Sequence, residues 1–387
     1  MNGIDHRFGG GRHSACAELV ARPLVSLLRP VQTLATSGAR AVEVFNTDRQ
    51  LFVVVPQLAR DIPGQAPGMN AGDSDIDALI YRWEVGRLVE HDALPMPGGE
   101  DAEYFEIGER RFLATLGVRS GSGPYVLDGD AVLYERDDNQ WTPFQRFPTF
   151  AGKQWRFFSI GSRHFLALAQ GVTVEGVTPK NPRESCIFEW DGKQFGLLQT
   201  LDGRWGYNWA FIAFGGQHYL AYADHVSGSS VHRWRGERFE VVQRFDEPGG
   251  RAFSFFIDQD RLWMVHANLM GETRLFQFDE DRVRFDPVQS LGAAGGRELC
   301  LVDGAHGRYL VRVCFITGTP YAPRTQQQSQ IFLWKAGRFE LADAFPTSGG
   351  TDAAAFMADG QRYLLVSNSL ADDVRFRVDS VLYRFDG

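Results

Sequence analysis

Four carboxylates, Glu43, Asp101, Glu103 and Asp352, are the residues of this 387-residue chain best suited to chemistry, together with Arg156 at a matching position. Each stands two or four residues before a Phe in a short apolar segment, the Phe residues being Phe45, Phe105, Phe158 and Phe356. Side chains alternate along a strand, so positions two apart share a side, and the four acids are expected to converge. Carboxylates gathered in one place repel and raise one another's pKa values. Three remedies are open. A hard, oxygen-liganded cation such as Ca²⁺ would sit among Glu43, Asp101, Glu103 and Asp352. Salt bridges to Arg156 or Arg40, with water, would neutralise them. Alternatively, Glu43, Asp101, Glu103 and Arg156 would serve as a catalytic acid–base group.

A second constellation lies in "DGRWGYNWAF", which supplies Trp205, Tyr207 and Asn208 in one turn, with Gln154, Arg251 and Arg297 at related places in other segments. Aromatic walls with a few convergent polar groups suit a small organic, aromatic molecule. The competing reading is packing, above all for Trp155 and Trp209. His225 and His266 are either general bases or structural. No GxSxG, HExxH, Walker A or GxGxxG motif occurs, so no nucleotide cofactor is expected. Asp73, Asp75, Asp77 and Glu84 match EF-hand ligand spacing, but Ala78 stands where that loop needs Gly and residues 79–83 read as strand.

The elements that must position these residues repeat. A strand of the "YRW" type ends at Trp83, Arg136, Trp190, Trp234, Phe278, Trp334 and Phe385, a return of roughly 50 residues, which is the length of a propeller blade. A second strand recurs seven times ("QLFVVV", "RRFLAT", "RHFLAL" and their kin), and so does a fourth ("PVQTL", "PFQRF", "LLQTL"). The chain therefore reads as all-β, a seven-bladed β-propeller of four-stranded antiparallel blades. It begins on a fourth-type strand at residues 30–34 and ends on a third-type strand, "SVLYRFDG". These orphan strands complete each other: the N-terminal strand is expected beside the C-terminal three, closing the ring and protecting its edges. Residues 1–28 then form a partly flexible N-terminal arm and residues 29–387 the propeller. Innermost strands line the channel, which puts both constellations at its mouth, with Val42, Trp155, Trp209 and Phe253 packing between blades. Long loops between second and third strands, 56–77, 117–130, 170–185 and 315–330, are expected as a lid over it.

The order small residue, Asp, apolar, Glu, aromatic, Phe, then Ile/Val-Gly and an aromatic-Leu strand resembles the epilepsy-associated (EAR or EPTP) repeat. The clearest copies are "EDAEYFEIGERRFLAT" and "GKQWRFFSIGSRHFLAL" with "PFQRF". That repeat is known from the seven-bladed propellers of the secreted leucine-rich glioma-inactivated proteins. The resemblance implies the same fold, a protein-recognition role, and metal ions in the channel at Glu43, Asp101, Glu103 and Asp352.

Composition narrows the classes further. Net charge is -8, aromatic residues make up 13% and Phe alone supplies 30, so flat apolar side chains carry the packing. No basic run marks nucleic acid, and no apolar stretch approaches the ~18 residues of a membrane span. Residues 14–28 are interrupted by Glu18 and Arg22 and do not read as a signal peptide. Cys16, Cys186, Cys300 and Cys314 lack CxxC spacing and read as reduced thiols. The expectation is a soluble, cytoplasmic monomer. Its first functional reading is a cofactor-independent enzyme for a small organic molecule at the channel mouth. Its alternative is a non-catalytic platform that binds a protein on the loop face.

Overall fold

The computed structural model describes residues 26–137, 140–172 and 183–387. These form seven four-stranded antiparallel sheets in a ring, with no helix among the described residues. The innermost strands, in blade order, are Glu43–Thr47, Gly99–Ile107, Gly152–Ile160, Gly206–Phe214, Gly250–Asp258, Gly296–Gly304 and Gly350–Ala358. Blade 3 shows the plan: Gly152–Ile160, Arg163–Gln170, Ser185–Trp190 and Phe195–Leu201 pair in sequence order.

Second strands are covered on both faces by adjoining blades, which is why they read as unbroken apolar runs; Phe165 to Ala169 are all fully buried. Inner strands instead have one wet side, so they alternate. Their between-blade row is buried as expected, with Val42, Ala102, Trp155, Trp209, Phe253, Leu299 and Ala353 forming it.

Blade 7 is composite. Leu28–Leu34 pairs antiparallel with Ser380–Phe385, from Leu28 opposite Phe385 to Leu34 opposite Ser380. Its sheet runs Leu28–Leu34, Ser380–Phe385, Gln361–Asn368, Gly350–Ala358 from rim to axis. The ring is thus shut by main-chain hydrogen bonds between the two ends of the domain. Of the expected N-terminal arm, residues 1–25, including Cys16, lie outside the described residues, as does most of the blade 3 loop.

Two devices recur at blade boundaries. Aromatic rings stack across them: Phe45 on Tyr104 at 4.3 Å, Phe105 on Phe157 at 4.2 Å and Phe158 on Phe211 at 4.5 Å between centroids. On the outer strands, the Gln of the "FQ" element grips the next blade with both ends of its amide. Gln199 donates to the Phe239 carbonyl at 2.9 Å and accepts from the Phe239 N–H at 2.9 Å. Gln145 does the same with Phe195, Gln243 with Phe285, and Gln289 with Phe339. Gln32, on the N-terminal strand, holds Leu88 of blade 1 in the same way.

Candidate functional site

The inner strands surround a central cavity of about 350 Å³. Glu43, Asp101, Glu103, Gln154, Arg156, Tyr207, Arg251, Arg297 and Asp352 all line it, together with Arg40, Glu100, Lys153, Glu298 and Thr351. Sequence spacing brought most of these together correctly. Trp205 and Asn208 do not belong to the lining. Trp205 packs edge-on to His225 at 5.0 Å and against the Phe150, Ala151 and Val172 cluster, because it precedes the strand and turns away from the axis. Asn208 is 3% exposed, and its side-chain carbonyl accepts the Phe253 N–H at 2.9 Å.

That bond belongs to a series. Asp101 accepts the Trp155 N–H at 2.7 Å, Gln154 the Trp209 N–H at 2.6 Å, and Asp352 the Val42 N–H at 2.8 Å. In every case the donor lies on, or in the case of Val42 immediately before, the inner strand of the next blade. Two residues further along, Glu43 accepts from Tyr104 N–H and Glu103 from Phe157 N–H, both at 2.8 Å. Asp, Glu, Asn and Gln share one attribute here, a side-chain oxygen that accepts. The inner strands of neighbouring blades approach at the axis without pairing as a sheet, so these N–H groups need an acceptor from elsewhere.

Burial is the main cause of the electrostatics of the acidic rows. It pushes Glu43 and Asp101 well above the usual carboxylate range, with repulsion from Glu103 adding to it, and it raises Glu103 and Asp352 as well. Glu298 is raised to about 8 by burial and by the neighbouring Asp352. Arg156, 3.3 Å from Glu103, is held charged by it. Among the described residues, no three His, Cys, Asp or Glu side chains come together as a metal-ligating group. Each of the four carboxylates named for Ca²⁺ is bonded to a backbone N–H.

Arg40, Glu100, Lys153, Tyr207, Arg251, Arg297 and Thr351 form a further ring, one residue from each blade, which strict alternation places between blades. In blades 2 to 7 the pairing register slips after the strand's first glycine, as between Gly152 and Gln154. One extra residue is thereby inserted, and a β-bulge of this kind re-aims its side chain. The legible signal is the glycine before it: a Cβ on Gly152 would stand 2.2 Å from Leu116 Cδ1. Glu100 faces three cations, Arg297 at 3.2 Å, Arg40 at 3.4 Å and Lys153 at 3.5 Å. Burial penalises its charge, yet Lys153, Arg40 and Arg297 together outweigh that and hold it at about 2. Burial lowers Arg40 and Arg251 to about 10. The Arg251 guanidinium carbon lies over the Tyr207 ring, 3.7 Å from its centre. Burial opposes ionisation of that phenol, but Arg251, Lys153 and Arg297 prevail and lower its pKa.

His225 and His266 are both pushed down to about 3, chiefly by burial. His266 stacks on Phe253 at 4.2 Å. A histidine so placed stays neutral and packs.

The EPTP domain family model matches residues 28–84, 141–191 and 194–235. Those segments cover the closing strand, the first three strands of blade 1, the outer strand of blade 2, blade 3 and the first three strands of blade 4. In these segments the chain carries EPTP repeats, on a seven-bladed β-propeller. It is 28% identical over 339 residues to the mouse thrombospondin-type laminin G domain and EAR repeat-containing protein, covering 82% of this chain and 48% of that one. It is 26% identical over 319 residues to the mouse leucine-rich repeat LGI family member 3, covering 78% of this chain and 51% of that one. This EPTP-repeat chain thus spans about half the length of these relatives.

Two expectations are corrected by these likenesses. The enzyme reading falls, because the relatives bear the names of repeat and interaction domains and none of a catalyst. The geometry agrees: Asp101, Glu43 and Glu103 of the supposed catalytic group are occupied with the backbone of the next blade. The cytoplasmic reading falls as well, since the glioma-inactivated relatives are secreted proteins.

Proposed function

We propose that this propeller is a rigid, non-catalytic protein-recognition module, working outside the cell, that docks a partner protein on the face made by the loops between second and third strands. The observation that carries this is the state of that face. Its loops are knitted together over an apolar floor of Leu58, Ala59, Phe315, Ile316, Leu370 and Phe376, contributed by blades 1, 6 and 7. Main-chain bonds tie them, with Gly38 N–H donating to Phe376 at 2.7 Å and Leu58 N–H to Gly38 at 2.9 Å. Arg375 reaches the Gln65 carbonyl at 3.1 Å. On this fixed support stand three exposed apolar side chains: Val126 at 54%, Met270 at 62% and Tyr321 at 94% exposure. Tyr321 tips a two-stranded hairpin, Thr317–Thr319 with Ala322–Arg324. Binding loops on a rigid scaffold are a common recognition arrangement, and exposed aromatics supply anchors.

The test is saturable binding of the labelled propeller to cell surfaces. The double variant Met270→Asp with Tyr321→Asp is expected to weaken it at least tenfold while leaving the thermal midpoint within a degree or two. Binding that is unaffected, or never saturable, would overturn the reading.

A further inference from the structure

The ring formed by Arg40 and by the residue after each inner strand's first glycine is itself predominantly cationic. Four of its members are cations, Arg40, Lys153, Arg251 and Arg297, and one is an anion, Glu100. All are deeply buried: the side chains of Arg40, Lys153 and Arg297 are no more than 10% exposed, Glu100 is 4% exposed and Arg251 5%. Glu100 is shared among three of the cations. It does not serve the fourth. Among the described residues, Nε and Nη1 of Arg251 are buried without a hydrogen-bond partner, and so is Nε of Arg40. The Arg251 guanidinium carbon lies 3.7 Å from the centre of the Tyr207 ring, and both residues line the cavity.

Five carboxylates one step further along, Glu43, Asp101, Glu103, Glu298 and Asp352, line the same cavity, but among the described residues none forms an ion pair with Arg251. Glu43, Asp101 and Asp352 accept backbone N–H groups of the next blade, Glu298 accepts that of Leu299, and Glu103 is engaged by Arg156. An unpaired buried cation is costly, and such charges are found paired. A guanidinium edge offers parallel N–H donors that match the oxygens of a carboxylate, phosphate or sulfate.

We propose that this ring is a binding site for a small oxyanion, held by Arg251, Lys153, Arg40 and Arg297, with Glu100 as a built-in competitor for the same cations. The ring binds the anion and performs no chemistry on it. This ligand differs in class from the aromatic molecule expected at the sequence level. The inference is independent of the recognition reading, since it concerns the axis and not the loop face, and each survives failure of the other.

The experiment is titration calorimetry and thermal melting of the whole chain with sulfate, phosphate or acetate, at ionic strength held constant with chloride. Wild-type protein is expected to bind at least one of them and to melt higher in its presence; a preference for sulfate or phosphate marks a tetrahedral ligand, and for acetate a carboxylate. Arg251→Gln should weaken that binding at least tenfold. Glu100→Gln should strengthen it at least tenfold, because it frees three cations at once. A purely structural ring predicts the opposite for Glu100→Gln, a loss of stability that no anion restores. The proposal is overturned if the wild type shows no anion-specific heat. It is equally overturned if the melting shift is the same in wild type and Arg251→Gln, the mark of a general salt effect, or if Glu100→Gln binds no better than wild type.

Discussion

The Asp101 carboxylate of blade 2 accepts the Trp155 backbone N–H of blade 3 at 2.7 Å. The N–H belongs to fully buried Trp155, so the acceptor is what matters, and the charge of the half-buried Asp101 is a burden that burial and Glu103 have already pushed toward protonation. Asp101→Ala orphans the N–H and should destabilise by about 1–3 kcal/mol. Asp101→Asn keeps an accepting oxygen and should lie within about 0.5 kcal/mol of wild type, or above it. Urea denaturation at neutral pH measures both; equal damage from the two would show that the charge itself is needed.

Glu298 carries a pH dependence of definite sign. Its folded pKa, about 8, lies above its ordinary value of 4.5, so the folded state binds the proton more tightly. The stability it contributes is complete below about pH 4.5 and is lost as pH rises through about 8. The thermal midpoint of the wild type should therefore decline across that window, and Glu298→Gln should decline less steeply. Parallel curves would remove Glu298 as a source of the slope.

Closure of the ring should be as strong as any other blade boundary. Gln32 holds Leu88 across the closing seam as Gln199 holds Phe239 inside the chain. Gln32→Ala and Gln199→Ala should each cost about 1–3 kcal/mol, two hydrogen bonds apiece. Chemical denaturation would read this, and a negligible cost for Gln32→Ala alone would mean that the seam is held by the Leu28–Leu34 pairing and not by the clasp.

Gly152 and Gly196 make a matched pair in blade 3. A Cβ at Gly152 meets Leu116 at 2.2 Å, while one at Gly196 meets nothing within 4 Å. Gly152→Ala should cost about 1–3 kcal/mol through overpacking, and Gly196→Ala less than about 0.5 kcal/mol. Thermal melting of the two variants compares them directly.

Repetition made the architecture legible before any coordinates. Seven returns of the same strand types, and complementary strands at the two ends, determined the blade count and the pairing of Leu28–Leu34 with Ser380–Phe385. Period-two alternation likewise separated the apolar row of Trp155 and Trp209 from the polar rows of Asp101 and Glu103. The first inference rests on repetition along the whole chain, the second on local periodicity, which a single strand already expresses. What Asp101, Gln154, Asn208 and Asp352 do was decided only in three dimensions, because their partners belong to the next blade, about one repeat away in the chain for the first three and 310 residues away for Asp352. The same holds for Arg251, Lys153 and Glu100. Arg251 is expected at the channel mouth from its place in the repeat, whereas nothing in the sequence singles out Lys153 or Glu100; strict alternation alone would turn all three between blades, and a bulge after each glycine, whose register depends on the neighbouring strand, turns them toward the axis.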